Sequence, residues 1–291
     1  MTSTPKIGFA GLGQLGTALA QKLDAACRLR AVWNRTNKDI GLESVETMSS
    51  FEELCQSVDW LFSCVADDAA LKALTDRMTQ SQIRPTIHVS FATCSPDQVS
   101  ALSDLHHKMG VAFVNAPVLG RPDVVEAGQA SFLLAGDTKS IDLIKPVLES
   151  IGNVAHKLGP DPRMAAAAKL AINYLVACQI ASLTEAAHAM SNFDGGEAAL
   201  QQTIKNSPLD SPVIQLFSGA IADRKFTPAL FDLELAQKDL NYFQSMAPAA
   251  NGLYLTKAVQ THMENSLLAI DCPVDWSGLA SHLLEPASET C

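Results

Sequence analysis

The sequence predicts an α/β domain built on a doubly wound, mostly parallel sheet, followed by an all-α C-terminal domain. Three observations predict it. Short β-type runs alternate with helical segments through the first half of the 291 residues. A glycine-rich turn stands between the first strand and the first helix. Beyond Gly159-Pro160-Asp161-Pro162 the strands stop and long helical periodicities take over.

Taken in order, Lys6–Ala10 reads as a strand, Leu15–Ala26 as a helix and Leu29–Trp33 as a second strand. Phe51–Ser57 is helical and Trp60–Val65 extended; Ala69–Ser81 is helical and Thr86–Val89 extended; Pro96–Met109 is helical. Val111–Asn115, Ser131–Ala135 and Val154–Lys157 read as further strands, with a helix over Lys139–Ile151. Met164–Met190 has apolar residues at helical spacing and no internal Pro or Gly, so it reads as one long helix. More helices follow, broken at Asn206-Ser207-Pro208, Pro212, Pro228, Pro248 and Pro273, and the last residues, Pro286–Cys291, read as a loose tail. The expected domains are 1–162 and 163–291.

Composition excludes several classes. Hydrophobic residues make up 47% and charged residues 18%, an ordinary core-forming balance. Net charge is −10 with no Lys/Arg cluster, which argues against a nucleic-acid or anionic-membrane surface. No apolar run reads as a membrane span, and the polar start, Met1–Lys6, lacks the layout of a signal peptide. The seven cysteines, at 27, 55, 64, 94, 178, 272 and 291, show no C-x-x-C spacing. A disulfide framework and a metal site are therefore not expected; most are expected to be buried thiols in a reducing cytoplasm.

Gly11-Leu12-Gly13-Gln14-Leu15-Gly16 follows a strand and opens a helix, the context a dinucleotide-binding turn demands. Gly11 permits the tight turn, Gly13 lets the backbone approach a pyrophosphate, and Gly16 allows close helix–strand contact. Exposed amides and the helix dipole then face an anion. The domain is thus of Rossmann type. An NAD site usually carries an acidic residue at the end of the second strand. Here that strand ends in Trp33-Asn34-Arg35-Thr36, with Lys38 close by. Guanidinium, hydroxyl and ammonium donors without a carboxylate suit a 2′-phosphate, so NADP is the expected cofactor.

Lys169 stands in an otherwise apolar stretch, Ala165-Ala166-Ala167-Ala168-Lys169-Leu170-Ala171-Ile172-Asn173. Lys169 and Asn173 are four apart and share a helix face. A lysine among small apolar residues loses hydration, which favours its neutral form and suits it to give a proton to a carbonyl oxygen. Spacing alone equally allows a lysine that snorkels from a packed helix to water.

Together these segments resemble the β-hydroxyacid dehydrogenase family, which includes 3-hydroxyisobutyrate dehydrogenases and glyoxylate/succinic semialdehyde reductases. The resemblance rests on the glycine turn and Asn34-Arg35-Thr36, on Cys64-Val65-Ala66-Asp67-Asp68 and Ala92-Thr93-Cys94-Ser95-Pro96, on Asn115-Ala116-Pro117-Val118-Leu119-Gly120-Arg121, and on Lys169–Asn173 and Lys238-Asp239-Leu240. It implies that Lys169 is the general acid/base, assisted by Asn173. It implies that Val65, Ala66 and Thr93 line the cofactor, that Lys238 reaches it from the helical domain, and that Asp239 anchors the helix of Lys238. It also implies a homodimer formed through the helical domain, which is expected to carry substrate contacts.

The substrate loop departs from the family pattern Asp-Ala-Pro-Val-Ser-Gly-Gly. Here it reads Asn115-Ala116-Pro117-Val118-Leu119-Gly120-Arg121, with the serine replaced by Leu119 and the last glycine by Arg121. Leu119, Gly120 and Arg121 are the expected substrate residues, with Arg121 expected to hold a carboxylate through its planar fork. The expected function is NADP-dependent reduction of a small aldehyde or keto acid, or oxidation of the matching hydroxy acid. Two alternatives stand beside it: an enzyme like the imine reductases, which share the architecture but commonly lack the lysine, and a non-catalytic NADP-binding module.

Overall fold

The computed structural model describes residues 4–81, 85–247 and 252–284. The expected tail, Pro286–Cys291, and the helix break at Pro248 lie outside the described residues. The chain divides into two compact units, Met1–Lys169 and Leu170–Cys291. That division falls inside a helix, whereas the expected boundary at 162 lies in the loop before it.

The first unit runs β1 (Ile7–Ala10), α1 (Gln14–Ala25), β2 (Leu29–Trp33), β3 (Glu46–Thr47), α2 (Phe51–Ser57), β4 (Trp60–Ser63), α3 (Asp68–Gln80), β5 (Ile87–Ser90), α4 (Pro96–Met109) and β6 (Ala112–Asn115). It continues with β7 (Val118–Leu119), α5 (Pro122–Glu126), β8 (Ser131–Gly136), α6 (Thr138–Glu149) and β9 (Val154–Gly159). The sheet has the order β3-β2-β1-β4-β5-β6-β8-β7, with β9 added beside β8. β1, β4 and β5 bury every residue. Strands covered by helices on both faces read as unbroken apolar runs, which is why periodicity found them. β3 and β7 escaped because two residues cannot show alternation, and α5 because its Pro122 start reads as a turn.

From β3 to β6 every pairing is parallel, so the carboxyl ends of β1, β4, β5 and β6 share one edge of the sheet. Strand order reverses between β1 and β4, the place at which open α/β sheets bind their ligands. The loops after these four strands carry the glycine turn and the motif stretches that begin at Cys64, Ala92 and Asn115. The first turns of α7 (Arg163–Met190) belong to this unit. Ala166 packs with Leu71, Ala92, Cys94 and Phe113, while Ala165 packs with Leu133 and Ala135.

The second unit is helical: the rest of α7, then α8 (Gly196–Lys205), α9 (Pro212–Ala222), α10 (Leu233–Ser245), α11 (Tyr254–Ala269) and a 3-10 turn at Trp276–Ala280. Ala177, Ile180, Phe217, Leu240, Val259, Met263 and Trp276 are among its core residues. Among the described residues its only β-type pairing is an isolated bridge between Asp232 and Asp275.

Two expectations need correction. Arg163–Met190 is long and apolar enough to cross a membrane by length and composition, with a mean hydropathy of 1.4 over its best window. Its alanines raise hydropathy while leaving room for neighbouring helices, and 44% of that window is buried inside the molecule. The cysteines also differ from the expectation of mostly buried thiols. Cys55 and Cys94 are buried free thiols, Cys64 and Cys178 are half-buried, Cys27 is exposed, and Cys272 is disulfide-bonded.

A buried polar chain crosses the first unit. His106 Nδ1 lies 2.6 Å from the Leu102 carbonyl, an acceptor only, so that nitrogen carries the proton. His106 Nε2 must then accept from His88 Nδ1 at 2.8 Å, and His88 Nε2 from the Ser63 hydroxyl at 2.8 Å. All three side chains are fully buried. Burial pushes His88 well below the usual imidazole range, helped by the neighbouring His106, and pushes His106 down to about 4. Both rings fold neutral, while the unfolded chain takes up protons below about pH 6.5. Their stabilisation is therefore complete above that pH and is lost as pH falls toward 4. Denaturant titrations between pH 7.5 and 4.5 should show stability falling by up to about 1.4 kcal/mol per pH unit for each ring. The double variant His88→Leu/His106→Leu should show a shallower slope; an unchanged slope refutes the assignment.

Candidate active site

The glycine turn closes on itself. Gly11 has φ +93, and a Cβ there would stand 2.3 Å from the Cys64 carbonyl oxygen. A Cβ on Gly16 would stand 2.0 Å from the Gly11 carbonyl oxygen. Side chains at either place would separate α1 from the ends of β1 and β4. At Gly13 a Cβ would meet nothing within 4 Å, so the backbone is bare toward open space. α2, α3, α4 and α6 each begin on a Ser or Asp side chain that accepts a first-turn amide. α1 begins at Gly13, which has no such side chain. Its first-turn amides are thus presented as anion donors. These residues fit a dinucleotide.

The end of β2 is tied to this turn. Asn34 Oδ1 accepts from the Leu12 amide at 2.8 Å, and its Nδ2 donates to the Thr36 carbonyl and hydroxyl oxygens at 2.8 and 3.1 Å. Lys38 Nζ donates to the Leu12 carbonyl at 2.8 Å and to the Thr17 hydroxyl at 3.2 Å. Asn34 and Lys38, two of the expected cofactor residues, thus tie the end of β2 to the glycine turn. Arg35 and Thr36 are exposed, and Arg35 makes no ion pair among the described residues. Gln14 is exposed and Leu15 half-buried on the first turn of α1.

The loops after β4 and β5 are joined by a link that spacing did not reveal. Asp68 accepts from the Ser95 amide at 2.9 Å and from its hydroxyl at 2.6 Å. Asp67 and Ser95 cap α3 and α4. Val65 and Ala66 thus lead into one pinned helix and Thr93 into the other. Asp68 and Ser95 were both inside motif stretches, but residues 27 apart share no period that marks a contact.

The substrate loop after β6 is held as β7, with Val118 and Leu119 paired to Phe132 and Ser131 of β8. Leu119 packs on the cluster of Leu133, Ala135 and Ala165, as does Ala168, the neighbour of Lys169. Arg121 is engaged close by: its Nη2 lies 3.0 Å from Asp123 Oδ2 and its Nε 3.4 Å from Oδ1. The guanidinium holds the Asp123 carboxyl below the usual carboxylate range.

Lys169 is buried, with 9% exposure, one helical turn before Asn173, which has 4%. In the second unit Asn173 Nδ2 donates to Asp239 Oδ2 at 2.6 Å. A carboxylate only accepts, so the amide nitrogen faces Asp239 and its oxygen is turned away, available to accept from a hydroxyl or ammonium group. Asp239 is almost fully buried, and its other oxygen lies 3.0 Å from Lys238 Nζ. Lys238 also lies over the Tyr242 ring at 5.2 Å. Asp239 therefore holds the side chains of Asn173 and Lys238 at once. A stacked Tyr174–Phe243 pair, with centroids 4.2 Å apart, adjoins them in sequence and was not anticipated. Among the described residues no group of three or more His, Cys, Asp or Glu side chains could hold a metal.

Two family models cover most of the chain. The NAD-binding domain of 6-phosphogluconate dehydrogenase matches residues 6–159, and the NAD-binding domain of NADP-dependent 3-hydroxyisobutyrate dehydrogenase matches residues 164–278. The chain belongs to the β-hydroxyacid dehydrogenase family. It is an oxidoreductase that uses a nicotinamide dinucleotide. A relative named uncharacterized oxidoreductase YfjR, from Bacillus subtilis (strain 168), is 28% identical over 94% of this chain and 98% of its own. The mitochondrial 3-hydroxyisobutyrate dehydrogenase of Drosophila melanogaster is 27% identical over 84% of this chain and 78% of its own. In fold, the chain is similar to 3-hydroxyisobutyrate dehydrogenase from Salmonella typhimurium, with TM-score 0.82, 18% identity, and 95% and 99% of the two chains covered. A reductive aminase from Aspergillus terreus is similar at TM-score 0.63 and 19% identity, over 96% and 99%.

Asp239→Ala removes the carboxylate that Asn173 and Lys238 share. Losing a hydrogen bond to a buried charge costs about 1.5–3 kcal/mol, so the denaturation midpoint should fall accordingly. Asp239→Asn keeps an acceptor for the Asn173 amide and should cost clearly less. Equal losses in the two variants would show that packing, not the hydrogen bond, makes Asp239 matter.

Proposed function

We propose that this chain is an NADPH-dependent reductase of a small aldehyde or keto acid, running in reverse as a dehydrogenase of the matching hydroxy acid. The observation that carries this reading is the buried Lys169 on the same face of α7 as Asn173, whose amide Asp239 holds in one orientation. The bound nicotinamide supplies hydride to the carbonyl carbon. Lys169 gives the carbonyl oxygen its proton, and Asn173 presents an amide oxygen to the hydroxyl that forms or to the ammonium group. A lysine so placed suits carbonyl reduction better than imine reduction, and a module that only binds cofactor has no use for it.

The choice of NADP rests on the end of β2. No carboxylate stands there, and Arg35 offers an exposed guanidinium beside the Thr36 hydroxyl. Lys38, fixed over the Leu12 carbonyl, adds positive charge to the same corner. On the same reading the protein is a homodimer. Met164, Ile172 and Leu175, all on one face of α7, are 50%, 42% and 53% exposed, an apolar stripe that a second helix would cover.

Two variants separate the parts of this reading. Arg35→Ala should weaken NADPH binding about ten- to a hundredfold, the equivalent of about 1.5–3 kcal/mol, and leave NADH binding nearly unchanged. Equal losses in a titration with both cofactors would overturn the NADP assignment. Lys169→Ala should lower kcat by about two to four powers of ten while NADPH affinity changes little. Near-wild-type turnover would make Lys169 a structural lysine.

A further inference from the structure

We propose that the substrate end of the site selects an uncharged carbonyl compound with an apolar group beside the reacting carbon, rather than one that carries a carboxylate. The inference rests on the reductase reading and chooses between its two substrate classes, favouring the aldehyde over the keto acid.

Three features of the loop after β6 carry it. First, the Leu119 side chain has no donor to offer where the family pattern has a serine hydroxyl. It is half-buried and packs against Leu133, Ala135 and Ala165, the cluster that also takes Ala168 beside Lys169. A carboxylate against that side chain would lose water without gaining a hydrogen bond from it, whereas an alkyl group gains from the same contact.

Second, the fork of Arg121 already faces a carboxylate. Its Nε and Nη2 face the two oxygens of Asp123 at 3.4 and 3.0 Å. Residues 116–123 contain no other cation and no other carboxylate, so the loop is neutral as a whole. Burial of the pair is uneven: the Arg121 side chain is 21% exposed and that of Asp123 48%.

Third, the pair is tethered. Asp123 is two residues from Arg121, and the residue between them is Pro122, whose ring restricts the backbone at the start of α5. An anionic substrate must compete with a carboxylate at the high effective concentration a short linker gives. On success it would leave Asp123 unneutralised beside a second negative charge. An uncharged substrate meets neither cost.

The experiment measures kcat/KM with NADPH for a four-carbon aldehyde acid and for its methyl ester, on wild type, Asp123→Asn and Arg121→Met. Calorimetric binding of butanoate and methyl butanoate to the enzyme–NADP+ complex reads the same preference without turnover. Wild type is expected to prefer the ester over the acid by about tenfold or more in both readouts. Asp123→Asn releases the guanidinium and should raise the acid-to-ester ratio at least about tenfold; Arg121→Met should not raise it. Wild type that prefers the acid, or an Asp123→Asn variant whose ratio does not move, overturns the proposal. Loss of turnover with both compounds counts against the reductase reading, while the binding ratio still decides this one.

Discussion

The cofactor end of this molecule depends on how closely the Gly11 carbonyl approaches the first turn of α1. Gly16 lets that oxygen come within what would be 2.0 Å of a Cβ, and Gly11 itself passes the Cys64 carbonyl at 2.3 Å on the same measure. Three backbone segments, the ends of β1 and β4 and the start of α1, therefore meet with no side chain between them. The consequence is electrostatic as well as steric. A helix that starts so near the carboxyl edge of the sheet presents its uncapped amides at the edge where strand order reverses.

Around that contact the neighbouring loops are fixed by hydrogen bonds from side chains outside the glycine motif. Asn34 and Lys38 hold the amide and the carbonyl of Leu12. Asp68 holds Ser95 and so joins the loops that carry Val65, Ala66 and Thr93. Behind the sheet edge, Ser63 is held by the His88–His106 chain one residue before Cys64. Each of these pairs satisfies a buried or half-buried polar group while limiting where a loop can go. A site built this way is pre-formed before any ligand arrives, which lowers the ordering cost of binding.

These links mark the limit of what could be read from the sequence. The alternation of strands and helices was legible because β1, β4 and β5 are covered on both faces, and the glycine turn because its three constraints are local. Lys169 and Asn173 were legible as a pair because one helical turn separates them. The bond from Asn173 to Asp239 was not, since it joins two helices 66 residues apart and nothing in either helix encodes the distance. The Arg121–Asp123 pair was two residues long and was still missed. Arginine in place of the family's glycine suggested an anion site, and nothing in the spacing marked Asp123 as its partner.

The pair also shows how a charge can enter this loop without disturbing the fold. Adding a lone guanidinium to this loop would leave a partly buried charge without a partner, where screening by water is reduced. A carboxylate two residues later keeps the loop neutral at short range. Lys238 is treated alike, with Asp239 at 3.0 Å. Arg35 is the contrast, exposed and without an ion pair among the described residues, at the corner where a cofactor phosphate would lie. Positive charge is thus left exposed at the end of β2 and paired with a carboxylate in the loop after β6.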